Sequence, residues 1–201
     1  MKEQLTVGSM FAGIGGICLA FRQNGCKIVW ANEIDKYACK TYRLNFGDEY
    51  LVEGDIQKLD TKDIPKFDIL TAGFPCQAFS SVGLLEGFND PRGNLFFETA
   101  RVINKIKPRV VFLENVANLV KHDEGRTFDV ILKTLGDLGY YTVYKVMNAK
   151  EYGNIPQQRN RIYIVAFKYK KNVEKFKFPD MLPLTQTAFD LFDKKKQEEK
   201  L

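Results

Sequence analysis

Apolar positions along this chain follow two alternating spacings. Largely apolar runs lie at 5–11, 27–31, 67–72, 109–113, 140–146 and 161–167, as expected of strands buried in a sheet. Between them, at 17–23, 37–45, 95–106 and 128–138, apolar residues recur every three or four positions, as on one face of a helix. Stop signals close these helices: Asn24-Gly25 after the first, Gly47 after the second, Pro108 after the third and Gly139 after the fourth. A further strand is expected to finish near Gly54-Asp55-Ile56. Strands alternating with helices predict an α/β fold built on a doubly wound, mostly parallel sheet, closed by the last two strands. From about residue 175 the texture changes. Phe178-Pro179 and Leu182-Pro183 mark a linker, and 185–201 reads as one amphipathic helix with Leu184, Ala188, Leu191 and Phe192 on a face. The chain thus divides into a main domain, 1–175, and a linker with a helix, 176–201.

The 201 residues are 45% hydrophobic and 27% charged, a balance typical of a globular domain able to bury its own core. No apolar run reaches the length of a transmembrane helix, and no signal peptide precedes the first strand, so the default location is the cytoplasm. Cys18, Cys26, Cys39 and Cys76 form no CxxC pair and share the chain with a single His, so neither a metal site nor a disulfide framework is expected. The net charge of +5 permits a nucleic-acid partner without requiring one. Part of that excess lies in lysine-rich stretches at 168–177 and 194–200, which read equally well as solvated surface.

Three features sit where successive strands end. Phe11-Ala12-Gly13-Ile14-Gly15-Gly16 joins the first strand to the first helix, a tight turn whose amides can approach a ligand. Cys18 stands where the third glycine of a GxGxxG dinucleotide fingerprint belongs, so a pyrophosphate is disfavoured and a nucleoside without phosphate, such as S-adenosylmethionine, fits better. Glu33 follows Gly13 by 20 positions, where an acid accepts ribose hydroxyls. Asp55 is placed to accept from an adenine amino group, with Ile56 packing on the ring. Ligands of this fold gather at the carboxyl ends of the strands.

A second constellation carries reactive groups. Gly73-Phe74-Pro75-Cys76-Gln77-Ala78-Phe79-Ser80 follows the strong strand at 67–72 and presents Cys76 on a turn stiffened by Pro75. A small buried hydrophobe is the usual fate of a free cysteine; that reading suits Cys18, Cys26 and Cys39 better than Cys76. Glu114-Asn115-Val116 ends the run at 109–113, beside Cys76 if the two strands are neighbours. Gln157-Gln158-Arg159-Asn160-Arg161 leads into the last strand, its arginines on opposite faces of extended chain. Residues 77–94, with Gly83, Gly87 and Gly93, suit a mobile lid. His122 is read as a surface residue without chemistry.

Taken together, FAGIGG at 11–16, NEID at 32–35, GDI at 54–56, GFPCQAFS at 73–80, ENV at 114–116 and QQRNR at 157–161 closely resemble the bacterial DNA cytosine-5 methyltransferases of restriction–modification systems. The resemblance covers roughly residues 5–167. It implies a Rossmann-like S-adenosylmethionine-dependent methyltransferase fold. It also implies Cys76 as nucleophile, a cytosine pocket containing Glu114, Arg159 and Arg161, and cofactor contacts from Phe11, Gly13, Glu33, Ile34, Asp55, Ile56, Pro75 and Leu95 together with the glycine turn (Ile14, Gly15, Gly16). Carbon 5 of cytosine is a poor nucleophile until a thiolate adds at carbon 6, and the charge that then builds on the ring needs an acid near N3 and a cation near O2. Glu114 suits the first task and Arg161 the second, while Arg159 orients Glu114 or grips a phosphate. The target base would be flipped from double-stranded DNA.

The family continues with a target-recognition region and a late Gly-Asn-Ser/Ala-Val segment, neither of which is found in this sequence. The chain is therefore expected to be one subunit of a naturally split enzyme, completed by a second subunit, or a truncated product. Three alternatives stand beside this reading. A related branch methylating tRNA carries Pro-Pro-Cys-Gln and Thr at the places of Phe74 and Ser80. An NAD-dependent oxidoreductase leaves Cys76, Glu114 and the arginines unexplained. An inactive scaffold leaves the intact reacting groups without purpose.

Overall fold

A computed structural model of the chain describes residues 4–75 and 95–192. Among them, β1 (Thr6–Met10), β2 (Lys27–Glu33), β3 (Leu51–Glu53), β4 (Ile69–Ala72), β5 (Val110–Val116), β6 (Tyr141–Asn148) and β7 (Asn160–Phe167) form one sheet in the order β3-β2-β1-β4-β5-β7-β6. Neighbouring strands from β3 to β5 are parallel, and β7 runs antiparallel to both β5 and β6. This is the doubly wound, mostly parallel sheet that the apolar pattern implies. Strand order reverses between β1 and β4, which opens a crevice at their carboxyl ends.

Helices α1 (Gly16–Gln23) and α2 (Lys36–Phe46) cover one face; α3 (Leu95–Ile106) and α4 (Arg126–Asp137) cover the other. Alternation along the strands feeds both layers. Val7 and Ile69 pack with Cys18 and Tyr42 on the first face. Leu70, Ala72, Val111 and Leu113 pack with Phe96, Ile103 and Ile131 on the second. Each fully buried side chain of this size contributes about 1.5–3 kcal/mol. Truncating Leu113 to Ala, at 0% exposure, leaves a cavity costing about 2–5 kcal/mol. Local chemistry sets the helix ends. The Asp35 carboxylate accepts from the amides of Tyr37 and Ala38 at 2.9 and 2.7 Å and caps α2, and Gly47 closes that helix with φ 79°.

Two expectations are corrected. The fifth strand does not stop at Leu113 but continues to Val116, because β7 pairs with it as far as Val116 opposite Arg161. The tail, within the described residues, is not one helix. After a short helix at Lys170–Lys175, Phe176 packs on Phe167 and Phe178. The chain then runs extended, with the amides of Leu182 and Thr185 donating to the Glu151 carbonyl and to Asn154 Oδ1, both at 2.7 Å. These bonds and Pro183 hold the backbone out of helical geometry. Only one 3-10 turn forms, Ala188–Leu191, and Phe192 is already extended with ψ 136°. Leu184, Leu191 and Phe192 are exposed. Residues 193–201 lie outside the described residues, as do 77–94, on which the lid expectation falls. No helix among the described residues is long and apolar enough to cross a membrane.

At the amino ends of the strands, Asp68 ties β4 to β1. Its Oδ2 accepts from both the amide and the hydroxyl of Thr6 at 2.9 Å. The Thr6 amide, more than any other group, holds the Asp68 carboxyl below the usual carboxylate range. A carboxyl whose value is depressed on folding stabilises above the unfolded value, near 3.9, and loses that contribution as pH falls through the folded value. Replacing Asp68 with Asn should therefore lower urea stability by about 1–2 kcal/mol near pH 7. The difference from the unaltered chain should shrink toward zero below about pH 3. Urea titrations at both pH values check this.

Candidate active site

Five strand ends converge on one crevice. The row Asn32, Met10, Ala72 and Leu113 is in register across β2, β1, β4 and β5, so the next residues, Glu33, Phe11, Gly73 and Glu114, follow side by side at the edge of the crevice. The Phe11–Gly16 turn begins there. Phe11 adopts φ 52°, a left-handed conformation that a bulky residue rarely takes, and its ring lines the crevice. Gly15 has φ 95°, and a Cβ on it would lie 2.3 Å from the Phe46 ring, so the turn requires glycine there.

The turn's amides are directed inward. Gly13 N–H donates to Glu33 Oε2 at 2.8 Å, Gly15 N–H to the Ala12 carbonyl at 2.9 Å, and Ala12 N–H to the Asn32 carbonyl at 3.0 Å. A carboxylate thus occupies the Gly13 amide that a phosphate would use. Glu33 Oε1 accepts two more amides, those of Ile34 and Asp35, each at 2.8 Å. Three N–H groups therefore aim this side chain, with acceptor capacity left on Oε2. Buried Asn32 donates to the carbonyls of Val52 and Gly54 at 3.0 and 2.9 Å, which fastens the end of β3 beside β2. Asp55 then accepts the Gln57 amide through Oδ1 at 3.0 Å, leaving Oδ2 for another partner.

A cavity of about 230 Å³ lies among these ends. Seven expected cofactor residues line it: Phe11, Glu33, Ile34, Asp55, Ile56, Pro75 and Leu95. Gly13, Ile14, Gly15 and Gly16 do not; they build the turn behind it. Asn32, Gly54 and Gly73 also line it and were missed. Asn32 and Gly54 flank expected positions in NEID and GDI, so proximity to those motifs was the available signal. The lining is apolar above and below, through Ile34, Ile56 and Leu95. Among the described residues it holds two carboxylates and neither Lys nor Arg. That charge pattern suits a ligand with donors or a positive charge and opposes a pyrophosphate.

Glu114, a candidate reacting residue, stands beside Gly73, which lies on the wall of this cavity. Cys76 lies outside the described residues, while Pro75, directly before it, is on the cavity wall. Parallel pairing of β4 and β5 makes Glu114 a neighbour of Gly73, and a Cβ at Gly73 would lie 3.4 Å from Glu114 Oε2. Arg161 Nε meets Glu114 Oε1 at 2.9 Å, both side chains being largely shielded at 20% and 23% exposure. The arginine that orients Glu114 is therefore Arg161. Arg159 stands exposed before β7, and its guanidinium makes no hydrogen bond among the described residues. Its amide and that of Lys150 both donate to buried Asn148 Oδ1, at 3.3 and 3.0 Å, so Asn148 shapes the turn that carries Arg159. Burial, reinforced by Glu114, pushes the Tyr163 phenol up and keeps it neutral beside the ion pair. Burial likewise raises the thiols of Cys18, Cys26 and Cys39, as suits packing residues. His122 Nδ1 lies 2.7 Å from the Thr127 hydroxyl, a structural contact.

Glu33→Gln tests the turn. The new amide cannot accept N–H bonds on its nitrogen, so at least one of the three is lost. Stability should fall by about 1–3 kcal/mol, which for a domain of this size lowers Tm by roughly 2–12 °C; thermal unfolding followed by circular dichroism measures it.

Residues 5–201 match the family model described as C-5 cytosine-specific DNA methylase. The chain is 50% identical over 191 residues to type II methyltransferase M.Bsp6I of Bacillus sp. (strain RFL6), covering 94% of this chain and 60% of that protein. It is 48% identical over 182 residues to type II methyltransferase M.HhaI of Haemophilus parahaemolyticus, covering 90% and 55%. The crystal structure of S. pombe Dnmt2 methyltransferase superposes with a TM-score of 0.68 at 26% identity, over 84% of this chain and 51% of that one. The chain thus spans between 51% and 60% of the length of these three proteins. Matched along almost its whole length, the chain belongs to the C-5 cytosine-specific DNA methylases.

Proposed function

We propose that this chain provides the catalytic part of a DNA (cytosine-5-)-methyltransferase of the restriction–modification type, with S-adenosylmethionine as donor and residues 1–175 as its catalytic domain. The observation that carries this is the adjacency of two sites. Among the described residues, a cavity with two carboxylates and neither Lys nor Arg lies against Gly73 and Pro75, and Glu114 stands on the neighbouring strand β5, paired with Arg161 of β7.

Glu33 would accept the ribose hydroxyls and Asp55 the adenine amino group, with Ile34, Ile56 and Leu95 packing on the ring. Phe11 and Pro75 would close the wall toward the reacting base, and Gly13, Ile14, Gly15 and Gly16 would support the amino-acid end. Bound S-adenosylmethionine supplies the methyl group. The Cys76 thiolate bonds to carbon 6 of the cytosine, which makes carbon 5 the attacking atom. Glu114 holds a proton at N3 as negative charge builds on the ring, and Arg161 and Arg159 offset charge at O2 and on a nearby phosphate. After transfer the carbon 5 proton leaves to a base and the Cys76–carbon 6 bond breaks, restoring the thiolate. The cytosine must be outside the helical stack for carbon 6 to be reached.

Double-stranded DNA is the substrate in this reading, and the type II methyltransferases at about 50% identity favour it over tRNA. The matched relatives are longer, so we assign base readout to a region corresponding to their remaining length, on the same polypeptide or on a second subunit. The reading places the protein in the cytoplasm, with DNA and methyl donor.

Trapping tests the proposal. A duplex carrying 5-fluorocytosine blocks proton loss from carbon 5, so the completed enzyme with S-adenosylmethionine should form an adduct that peptide mapping finds at Cys76. Cys76→Ser should form none. An adduct at another residue, or one formed with tRNA but not with duplex DNA, contradicts the reading. Residues 1–201 alone should shift duplexes of different sequence equally in gel titrations; a strong preference for one short site contradicts the assignment of readout elsewhere.

A further inference from the structure

Asn115 is a buried polar residue, 4% exposed, in the middle of this machinery and without a role in it so far. It lies on the core face of β5 with Val111 and Leu113, while Glu114 points to the opposite face. Both ends of its amide are used. Nδ2 donates to the Phe74 carbonyl at 2.8 Å, and Oδ1 accepts the Val116 amide at 2.8 Å.

The partner of Nδ2 is what gives the contact meaning. Regular pairing of β4 with β5 ends at Ala72 opposite Leu113, so Gly73, Phe74 and Pro75 have left the ladder. Pro75 has no N–H. The Phe74–Pro75 peptide therefore has one polar backbone group, the Phe74 carbonyl, and Asn115 holds it. The Phe74 ring is buried against Phe96, 5.5 Å between centroids, which fixes the position of the residue but not the rotation of the peptide that follows. Resting on the reading of Cys76 as nucleophile, we propose that Asn115 is a positioning residue. By clamping the Phe74 carbonyl it sets the direction in which the chain leaves Pro75 toward Cys76, supplying the donor that this carbonyl no longer receives from a neighbouring strand.

A donor role and a packing role are separable. Asp is the isostere of Asn, but its carboxylate accepts only and would face the Phe74 carbonyl oxygen; Ala leaves space that water can enter. If Asn115 merely fills volume, Asp should be tolerated at least as well as Ala. If it acts as donor, Asp should be the worse substitution near pH 8. It should also recover on acidification, because a protonated Asp again offers an O–H to the carbonyl and burial raises its value.

The experiment measures methyl transfer by the completed enzyme carrying Asn115→Ala or Asn115→Asp between about pH 5.5 and pH 8.5, a span in which a buried acid titrates. Near pH 8, kcat should fall at least tenfold in the Asp variant, the scale on which small misplacements of a reacting group act. The fall should be smaller in the Ala variant, with KM for S-adenosylmethionine within about twofold in both, as for a lost interaction that acts in the transition state. The ratio of Asp variant to unaltered enzyme should rise as pH falls, while the Ala ratio stays flat. Equal or better activity of Asp than Ala at every pH overturns the proposal. Should the unaltered enzyme transfer no methyl group, the functional reading fails and crystal structures decide the positioning claim separately. They should show the Phe74 carbonyl rotated away in the Asp variant with β5 unmoved; an unchanged Phe74–Pro75 peptide overturns it.

Discussion

The molecule depends on one row of paired residues. Asn32, Met10, Ala72 and Leu113 lie level across four parallel strands, and Glu33, Phe11, Gly73 and Glu114 are the next residues along them. A slip of one residue in any of these pairings would turn its apolar side chains to the wrong layer. It would also withdraw Glu33, Phe11, Gly73 or Glu114 from the crevice. The core therefore enforces the site. The helix layers that hold Leu70, Ala72 and Leu113 on one face and Val7 and Ile69 on the other leave the strands a single compatible register.

Beyond that row β1 and β4 have no further ladder partners among the described residues, and buried or partly buried polar side chains hold the chain around their ends. Asn32 fastens the β3 end, Glu33 gathers three amides around the glycine turn, Asn148 shapes the approach to Arg159, and Asn115 holds the Phe74 carbonyl. An unsatisfied buried polar group costs about 1–3 kcal/mol, so these residues have narrow freedom. They convert irregular chain into fixed geometry where a parallel sheet supplies none. The same economy explains the polarity of the cavity. Its two carboxylates are aimed by backbone amides, and the Gly13 amide is turned toward Glu33, an arrangement that suits a donor-bearing ligand better than a pyrophosphate.

Much of this was legible in the amino-acid order because the relevant signals are local. Helical spacing bounded α3 at Leu95 and Ile106, and the glycines, Glu33 and Asp55 marked strand ends in advance. What stayed hidden depended on partners distant in the chain. That Arg161 rather than Arg159 meets Glu114 follows from β7 pairing antiparallel with β5, a register no short motif encodes. The extra length of β5 has the same origin. The roles of Asn115 and Asn148 rest on hydrogen bonds spanning 41 and 11 positions. The tail misled because an amphipathic pattern was read without its competitors, namely Pro183 and the bonds that Asn154 makes to residues 185 and 186.

The central claim is that the crevice at the strand ends holds the methyl donor. A crystal structure of the completed enzyme with S-adenosylhomocysteine tests it most directly. The account predicts the ribose hydroxyls on Glu33, the adenine amino group on Asp55 and the ring between Ile34, Ile56 and Leu95. Density for the nucleoside elsewhere, such as the separate cavity of about 290 Å³ beside Arg22, Tyr42 and Phe46, would contradict it.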